Sequence, residues 1–130
     1  MIKAHTNAGH SIGQTVGGRF NIPHGPACAY AEPWVLEYNA GETPKETAYI
    51  ARALGADLTG NETAEELGVK VREAFIDFRD NKCGLQSIKD FEYDESQFDE
   101  LAQMCAEEVF QQFNAKPMDK AVCLEILKNM

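Results

Sequence analysis

Two histidines on either side of a glycine-rich segment are the residues of this chain best suited to chemistry. His10 lies in a run of small residues, Ala8-Gly9-His10-Ser11-Ile12-Gly13, that allows another helix to approach closely. His24 stands between Pro23, which restricts φ, and Gly25, which permits unusual backbone conformations. Neutral imidazole is the commonest metal ligand, and a metal site needs several such groups at one point. His10 and His24 are therefore candidate metal ligands, although the spacing of two histidines alone is weak evidence.

The residues around these histidines follow a characteristic order of motifs. His10 is followed by Gly17-Gly18, then by Pro23-His24-Gly25, and then by a stretch that ends in Val35-Leu36-Glu37-Tyr38-Asn39. This order resembles the C-terminal part of the iron-type (group III) alcohol dehydrogenases, which share a dehydroquinate synthase-like helical domain. In that family a histidine on one helix precedes a turn and a Pro-His-Gly that opens the next helix. By this resemblance His10 and His24 match two of the family's metal ligands, while an Asp and a His ligand would lie upstream of Met1.

The resemblance also implies an activity and its cofactors. Family members oxidise primary or secondary alcohols with NAD(P) and use a divalent metal, iron(II) or zinc(II). Gln14 stands where the family often has a histidine near the nicotinamide that is implicated in proton relay. Glutamine cannot relay a proton at neutral pH, so we assign no catalytic residue. The position near the nicotinamide in the family makes Gln14 a candidate cofactor contact.

The nucleotide-binding fingerprint Gly-x-Gly-x-x-Gly does not occur in the sequence. We therefore expect NAD(P) to bind only with an N-terminal domain that this chain lacks, and the isolated chain to be inactive as an enzyme. Helices ahead of His10 would cover the apolar side of the first helix, so their absence predicts an exposed apolar face. That face is expected to be covered by a homo-oligomer or by a complementary N-terminal chain. The residues expected to form it are Ala4, Ala8, Ile12 and Val16.

Three interpretations stay open at this stage. The first is the metal-binding C-terminal portion of an iron-type NAD(P)-dependent alcohol dehydrogenase. The second is a degenerate, non-catalytic helical module for self-association or regulation, which Gln14 and the missing nucleotide domain favour. The third is a small metal-binding protein that uses His10 and His24 from two subunits.

The composition limits the partners. The formal net charge of −9 argues against nucleic acid and against anionic membrane surfaces, which both require clustered basic residues. No apolar run approaches the roughly 20 residues needed to span a bilayer. The N-terminal residues have neither a basic segment before an apolar stretch nor a cleavage site. These features predict a cytoplasmic protein.

The four cysteines are far apart and form no Cys-x-x-Cys pair. Three of them fall on apolar helix faces, where a free thiol behaves as a small hydrophobe. We therefore expect structural thiols, with zinc binding by the four thiols as the remote alternative. The cysteines are Cys28, Cys83, Cys105 and Cys123.

The apolar periodicity predicts an all-α fold, a bundle of five to six helices in a single domain over residues 1–130. The first helix is expected at 2–16, ending at Gly17-Gly18, and the second at 25–38 with a kink at Pro33. Later helices have start signals of the capping-box or acidic-cap type. These signals are Thr43-Pro44-Lys45-Glu46 (helix to Leu54, ending at Gly55), Thr63-Ala64-Glu65-Glu66 (helix to about Arg79), Asp94 and Asp119.

Helical spacing also predicts which side chains face the core. The expected inward residues are Leu67, Val71, Ala74, Phe75, Phe78, Ile88, Phe91, Phe98, Leu101, Ala102, Cys105, Val109, Phe113, Val122, Cys123, Ile126 and Leu127. His5 is turned away from His10 on a helix and is expected to face solvent. Phe20 precedes the Pro-His-Gly turn, and we expect it in the core or lining the substrate side.

Overall fold

The computed structural model describes residues 8–108, 114 and 116–130, without the side chain of Ala8. Every regular element within these residues is a helix or a helical turn, which confirms the all-α prediction for this part of the chain. The α-helices are α1 (Ala8–Phe20), α2 (His24–Asn39), α3 (Pro44–Ala53), α4 (Ala64–Asp77), α5 (Phe98–Glu107) and α6 (Lys120–Asn129). Among them, none is long and apolar enough to cross a membrane.

The chain divides into two compact units. The first unit comprises Met1–Glu32 with Ser87–Met130, and the second comprises Pro33–Gln86. The boundary at Glu32 and Pro33 falls inside α2, beside the proline that the sequence analysis singled out. The prediction of a single domain over residues 1–130 stays a prediction.

Helix α1 ends later than the sequence predicted. It continues through Gly17 and Gly18 to Phe20, so the predicted break at the two glycines is wrong. Asn21 adopts a left-handed conformation with φ of 58°, and the Ile22 N–H donates to the Gly17 carbonyl at 3.0 Å. This is the Schellman pattern, in which a left-handed residue after the helix allows a backbone bond back to it. Glycine lowers helix propensity by only about 1 kcal/mol, which tertiary packing overrides here.

The apolar side of α1 is covered within the first unit. Ile12 and Val16 are fully buried, so the predicted exposed apolar face is wrong for these two residues. Helix α5 packs against α1 and supplies apolar cover from within the chain. The buried residues of α5 are Phe98, Leu101, Ala102 and Cys105, as predicted. Ile2, Ala4, His5, Val109 and Phe113, for which predictions were also made, lie outside the described residues.

The end of the first unit has the predicted acidic caps. The Asp94 carboxylate accepts from the Ser96 N–H at 2.9 Å and starts a 3₁₀ turn, Glu95–Gln97, that leads into α5. The Asp119 carboxylate accepts from the Val122 N–H at 2.9 Å and caps α6, which packs against α5. The inward residues Cys123, Ile126 and Leu127 of α6 are buried as predicted, and so is Ile88 of a second 3₁₀ turn, Ile88–Asp90.

The second unit contains the C-terminal part of α2 together with α3 and α4. The sequence predicted one of its two capping boxes correctly. At Thr63 both bonds form: Thr63 Oγ1 accepts from the Glu66 N–H at 3.2 Å, and Glu66 accepts from the Thr63 N–H at 3.4 Å. The predicted box at Thr43 is wrong, because the Thr43 hydroxyl donates to the Asn39 carbonyl at 3.2 Å and makes no cap bond. Helix α3 ends before Gly55, whose φ is +95°, as predicted.

The C-terminal end of α4 also departs from the prediction. The helix stops at Asp77 and a π-helical turn, Phe78–Lys82, continues it. Leu67 and Val71 are buried as predicted, but Phe78 is 40% exposed, so its predicted inward position is wrong. The Phe78 N–H still donates to the Ala74 carbonyl, so Phe78 keeps its helical position. Periodicity marks an apolar stripe but does not show how far along the helix packing covers it.

Candidate metal centre

Helix α1 and the N-terminal part of α2 approach closely at one pair of residues. A Cβ on Gly13 would lie 2.7 Å from Cys28 Sγ and 2.9 Å from both Cα and N of Cys28. One turn later, a Cβ on Gly17 would lie 3.4 Å from the Ala27 Cβ. Because glycine has no side chain at either point, the two backbones can come nearer than larger residues would permit. The close approach predicted from the small-residue run around His10 is therefore present.

This approach brings the two histidines together. His10 lies one turn before Gly13 on α1, and His24 is the first residue of α2, one turn before Cys28. Their ring centroids are 4.7 Å apart with an angle of 67° between the ring planes. His10 is half-buried and His24 is exposed, so the pair opens onto the surface. The two residues that the sequence selected as candidate ligands thus share one place in the first unit.

A third donor, Cys28, joins the pair, and the sequence analysis missed it. Cys28 Sγ lies 3.7 Å from His24 Nε2, and the candidate ligand atoms of His10, His24 and Cys28 all lie within 4.8 Å of one another. The signal was present in the sequence, since residues four apart on a helix share a face. The apolar spacing predicts a small hydrophobe at Cys28, whereas the structure places it half-buried beside the two histidines.

The environment of Cys28 favours the protonated thiol. Burial raises the pKa of the Cys28 thiol, and the carboxylate of Glu32, one turn further along α2, raises it further. Without a cation nearby, the group is therefore a neutral thiol at pH 7. A bound cation reverses this preference, because coordination removes the proton from a thiol.

Two of the other three cysteines are buried, as expected for structural thiols, and the third is exposed. Cys105 and Cys123 are buried, and burial raises the pKa of their thiols to about 12 and about 11. They act as small apolar core residues. Cys83 is exposed in the second unit. The remote alternative of zinc held by four thiols is not supported by this arrangement.

Three further residues named in the sequence analysis lie in different surroundings. Phe20 is buried and its ring meets that of Tyr93 edge-on, with centroids 5.1 Å apart, so it belongs to the core. Glu37 forms an ion pair with Arg72 at 2.8 Å in the second unit. Gln14 is exposed on α1, one turn after His10. Its assignment as a cofactor contact stays a prediction.

The donor set fits a divalent transition metal. Imidazole suits iron and zinc, and a thiolate adds preference for zinc. Catalytic zinc sites use three protein ligands and leave a position open. The described part of the chain provides two nitrogens and one sulfur close enough for this role, on a close-packed helix pair that fixes their backbones.

Comparison with known proteins identifies the family. The model of the Fe-containing alcohol dehydrogenase family, C-terminal part, matches residues 1–130. A 1,3-propanediol dehydrogenase of Klebsiella pneumoniae is 30% identical over 99 residues, which are 73% of this chain and 24% of that protein. A lactaldehyde reductase of Escherichia coli is 34% identical over 71 residues, which are 55% of this chain and 19% of that protein.

A solved structure agrees in fold. The crystal structure of a 1,3-propanediol oxidoreductase matches with a TM-score of 0.81 and 24% identity, over 95% of this chain and 32% of that chain. The chain thus spans about a quarter or less of the two curated relatives described here. It belongs to the Fe-containing alcohol dehydrogenase family, as the C-terminal part of that family's fold.

Proposed function

We propose that this chain forms the metal-binding part of an NAD(P)-dependent alcohol dehydrogenase or aldehyde reductase, with His10 and His24 as metal ligands. The observation that carries the proposal is the pairing of the two imidazoles, whose centroids are 4.7 Å apart on neighbouring helices. Family membership supports it, because the family is described as iron-containing. The metal is iron(II) or zinc(II).

The helix pair contributes positioning. His10 is held on a regular helix, and His24 begins α2 directly after the Schellman turn that ends α1. The contact between Gly13 and Cys28 fixes the distance between the two backbones. When bound, a divalent cation supplies Lewis acidity toward the oxygen of a substrate. The two histidines hold the cation at the exposed end of the pair, where a substrate can reach it.

The substrate and the nucleotide require more than this chain. The names of the relatives support a small alcohol, or the corresponding aldehyde, as the substrate class. NAD(P), the hydride carrier of the reaction, is bound by polypeptide outside these 130 residues. A complementary N-terminal polypeptide, or a second copy of this chain, completes the ligand set beyond the two histidines.

A non-catalytic helical module is the second candidate, and Gln14 is the observation that favours it. Gln14 is exposed one turn after His10, at the position where the resemblance led us to expect a histidine. Such a module would have lost both proton relay and metal binding and would retain only the fold of the family.

Anaerobic calorimetric titration with iron(II) and zinc(II) tests the proposal. The chain is expected to bind at least one of them with a dissociation constant of about 1 µM or tighter. A His10→Ala/His24→Ala double variant should abolish this binding, and a His5→Ala variant is the matched control that should retain it. Equal weak binding by all three proteins would support the non-catalytic candidate instead.

Activity is tested in a chimera. This chain replaces the corresponding C-terminal part of the Klebsiella pneumoniae 1,3-propanediol dehydrogenase, and nucleotide-linked oxidation of 1,3-propanediol is measured. We expect activity that the His10→Ala/His24→Ala variant of the chimera lacks. A folded chimera that binds the metal but does not turn over would argue against the dehydrogenase assignment and leave metal binding intact.

A further inference from the structure

The geometry points to Cys28 as a third metal ligand: we propose that its thiolate joins His10 and His24 in a two-nitrogen, one-sulfur site that prefers zinc(II) to iron(II). The inference rests on the proposed function, since it requires that the two histidines bind a metal. It adds a ligand that the sequence resemblance did not supply.

The distance between sulfur and nitrogen matches a coordination edge. Zinc bonds of about 2.05 Å to nitrogen and about 2.3 Å to sulfur, at the tetrahedral angle, place the two atoms about 3.6 Å apart. Cys28 Sγ and His24 Nε2 are 3.7 Å apart. An octahedral right angle would bring the same atoms to about 3.1 Å, which is shorter than the observed separation. The His24–Cys28 separation is thus close to the length of a tetrahedral edge.

The third donor lies within reach of the same point. The ligand atoms of His10, His24 and Cys28 lie within 4.8 Å of one another, which is at most about 1.2 Å beyond the sulfur–nitrogen edge of about 3.6 Å. Rotation of exposed or half-buried side chains covers that difference without movement of the backbone. His24 is exposed, so its ring has room to turn, and His10 is half-buried.

The backbone at Cys28 is fixed by contact with α1. A Cβ on Gly13 would lie 2.9 Å from both Cα and N of Cys28, which shows how tightly the two helices meet there. Cys28 therefore presents its sulfur at the junction of the two helices, within 4.8 Å of the ligand atoms of both histidines.

The chemistry of sulfur determines the metal preference. A thiolate is a soft ligand that favours zinc, whereas an all-nitrogen and oxygen set accepts iron(II) more readily. On coordination the Cys28 thiol releases its proton to solvent, and a sulfur–metal bond forms. The alternative role of Cys28 is a hydrogen bond with His24 and no contact with metal.

X-ray absorption on the zinc-loaded full chain distinguishes these roles. A sulfur neighbour at about 2.3 Å is expected in the wild type, beside nitrogen neighbours at about 2.0–2.1 Å. The sulfur shell should vanish in Cys28→Ser, which keeps the size of the side chain, and persist in Cys83→Ser, the matched control at an exposed thiol. Cobalt(II) titration gives a second readout, a sulfur-to-metal charge-transfer band that Cys28→Ser lacks.

Affinity gives a further comparison. Cys28→Ser should weaken zinc binding by about tenfold or more and weaken iron(II) binding less, so that the preference for zinc falls. A zinc-loaded wild type with nitrogen and oxygen neighbours alone would overturn the role of Cys28 while leaving the histidine site in place. Absence of zinc binding in the wild type would overturn both proposals.

Discussion

At the scale of single residues, Gly13 controls the distance between the two helices that carry the candidate ligands. A Cβ there would meet backbone atoms of Cys28 at 2.9 Å, and backbone cannot move aside as a flexible side chain can. We expect Gly13→Ala to lower the free energy of unfolding by about 1–3 kcal/mol. It should also weaken zinc binding, because His10 and His24 are forced apart.

Gly18→Ala is the matched control for this prediction. Gly18 is also in α1 but is exposed, and a Cβ on it would meet nothing within 4 Å. Its substitution should raise the free energy of unfolding by about 0.5–1 kcal/mol through better helix propensity. Urea denaturation measures both variants, and equal stability of the two would contradict the close approach at Gly13.

Glu62 gives a prediction about pH. Its carboxylate accepts from the Thr59 N–H at 2.6 Å and the Gly60 N–H at 3.0 Å, and it pairs with Lys70 at 3.0 Å. The Thr59 bond first, and then Lys70, lower the pKa of Glu62 from 4.5 to about 2. A lowered pKa in the folded state stabilises the protein above pH 4.5, and this contribution is lost as the pH falls toward 2.

Comparison of the wild type with Glu62→Gln tests the direction of this pH dependence of stability. The wild type should exceed the variant in free energy of unfolding at neutral pH, and the difference should shrink between pH 4.5 and about pH 2. Denaturation across that range measures the difference, and NMR titration of the Glu62 carboxyl measures the pKa directly. A difference that stays constant with pH would show that the charge of Glu62 is not involved.

At the scale of elements, the start of α4 depends on a cap that α3 lacks. Thr63→Ala removes an acceptor for the Glu66 N–H and should lower the free energy of unfolding by about 1 kcal/mol. Thr63→Ser keeps the hydroxyl and should change stability by less than about 0.5 kcal/mol. Thermal denaturation followed by circular dichroism compares the variants. An unchanged free energy of unfolding in Thr63→Ala would mean that tertiary contacts alone stabilise α4.

At the scale of the whole molecule, metal binding should stabilise the protein. All three candidate ligands belong to the first unit. Free zinc at about 100 times its dissociation constant should raise the free energy of unfolding by about 2.7 kcal/mol. Amide hydrogen exchange that proceeds by local opening should slow most in α1 and the start of α2. It should slow least in residues Pro33–Gln86.

The His10→Ala/His24→Ala variant is the control for this effect. It should gain no stability from zinc, while its exchange pattern without metal should resemble that of the wild type. If zinc slowed amide exchange evenly over both units, or still stabilised the variant, the metal would bind at another place.

Most helices and the first two candidate ligands could be predicted from the amino-acid sequence, because they depend on patterns among neighbouring residues. Helical periodicity located the apolar faces, Asp119 and Thr63 marked helix starts, and the Pro23-His24-Gly25 motif indicated the family. Local rules failed where tertiary packing or a competing local hydrogen bond overrides propensity. The helix continued through Gly17 and Gly18, and Thr43 bonded to the carbonyl of Asn39 rather than capping α3.

The groups that the helix faces contact depend on packing between helices, which sequence patterns do not reveal. It buried Ile12 and Val16 within the first unit, although the sequence predicted an exposed apolar face. It also placed Cys28 beside the two histidines through the contact with Gly13, a relation between residues on two helices. Spacing along a chain predicts which residues share a face, but the distance between faces follows from how closely two backbones can pack.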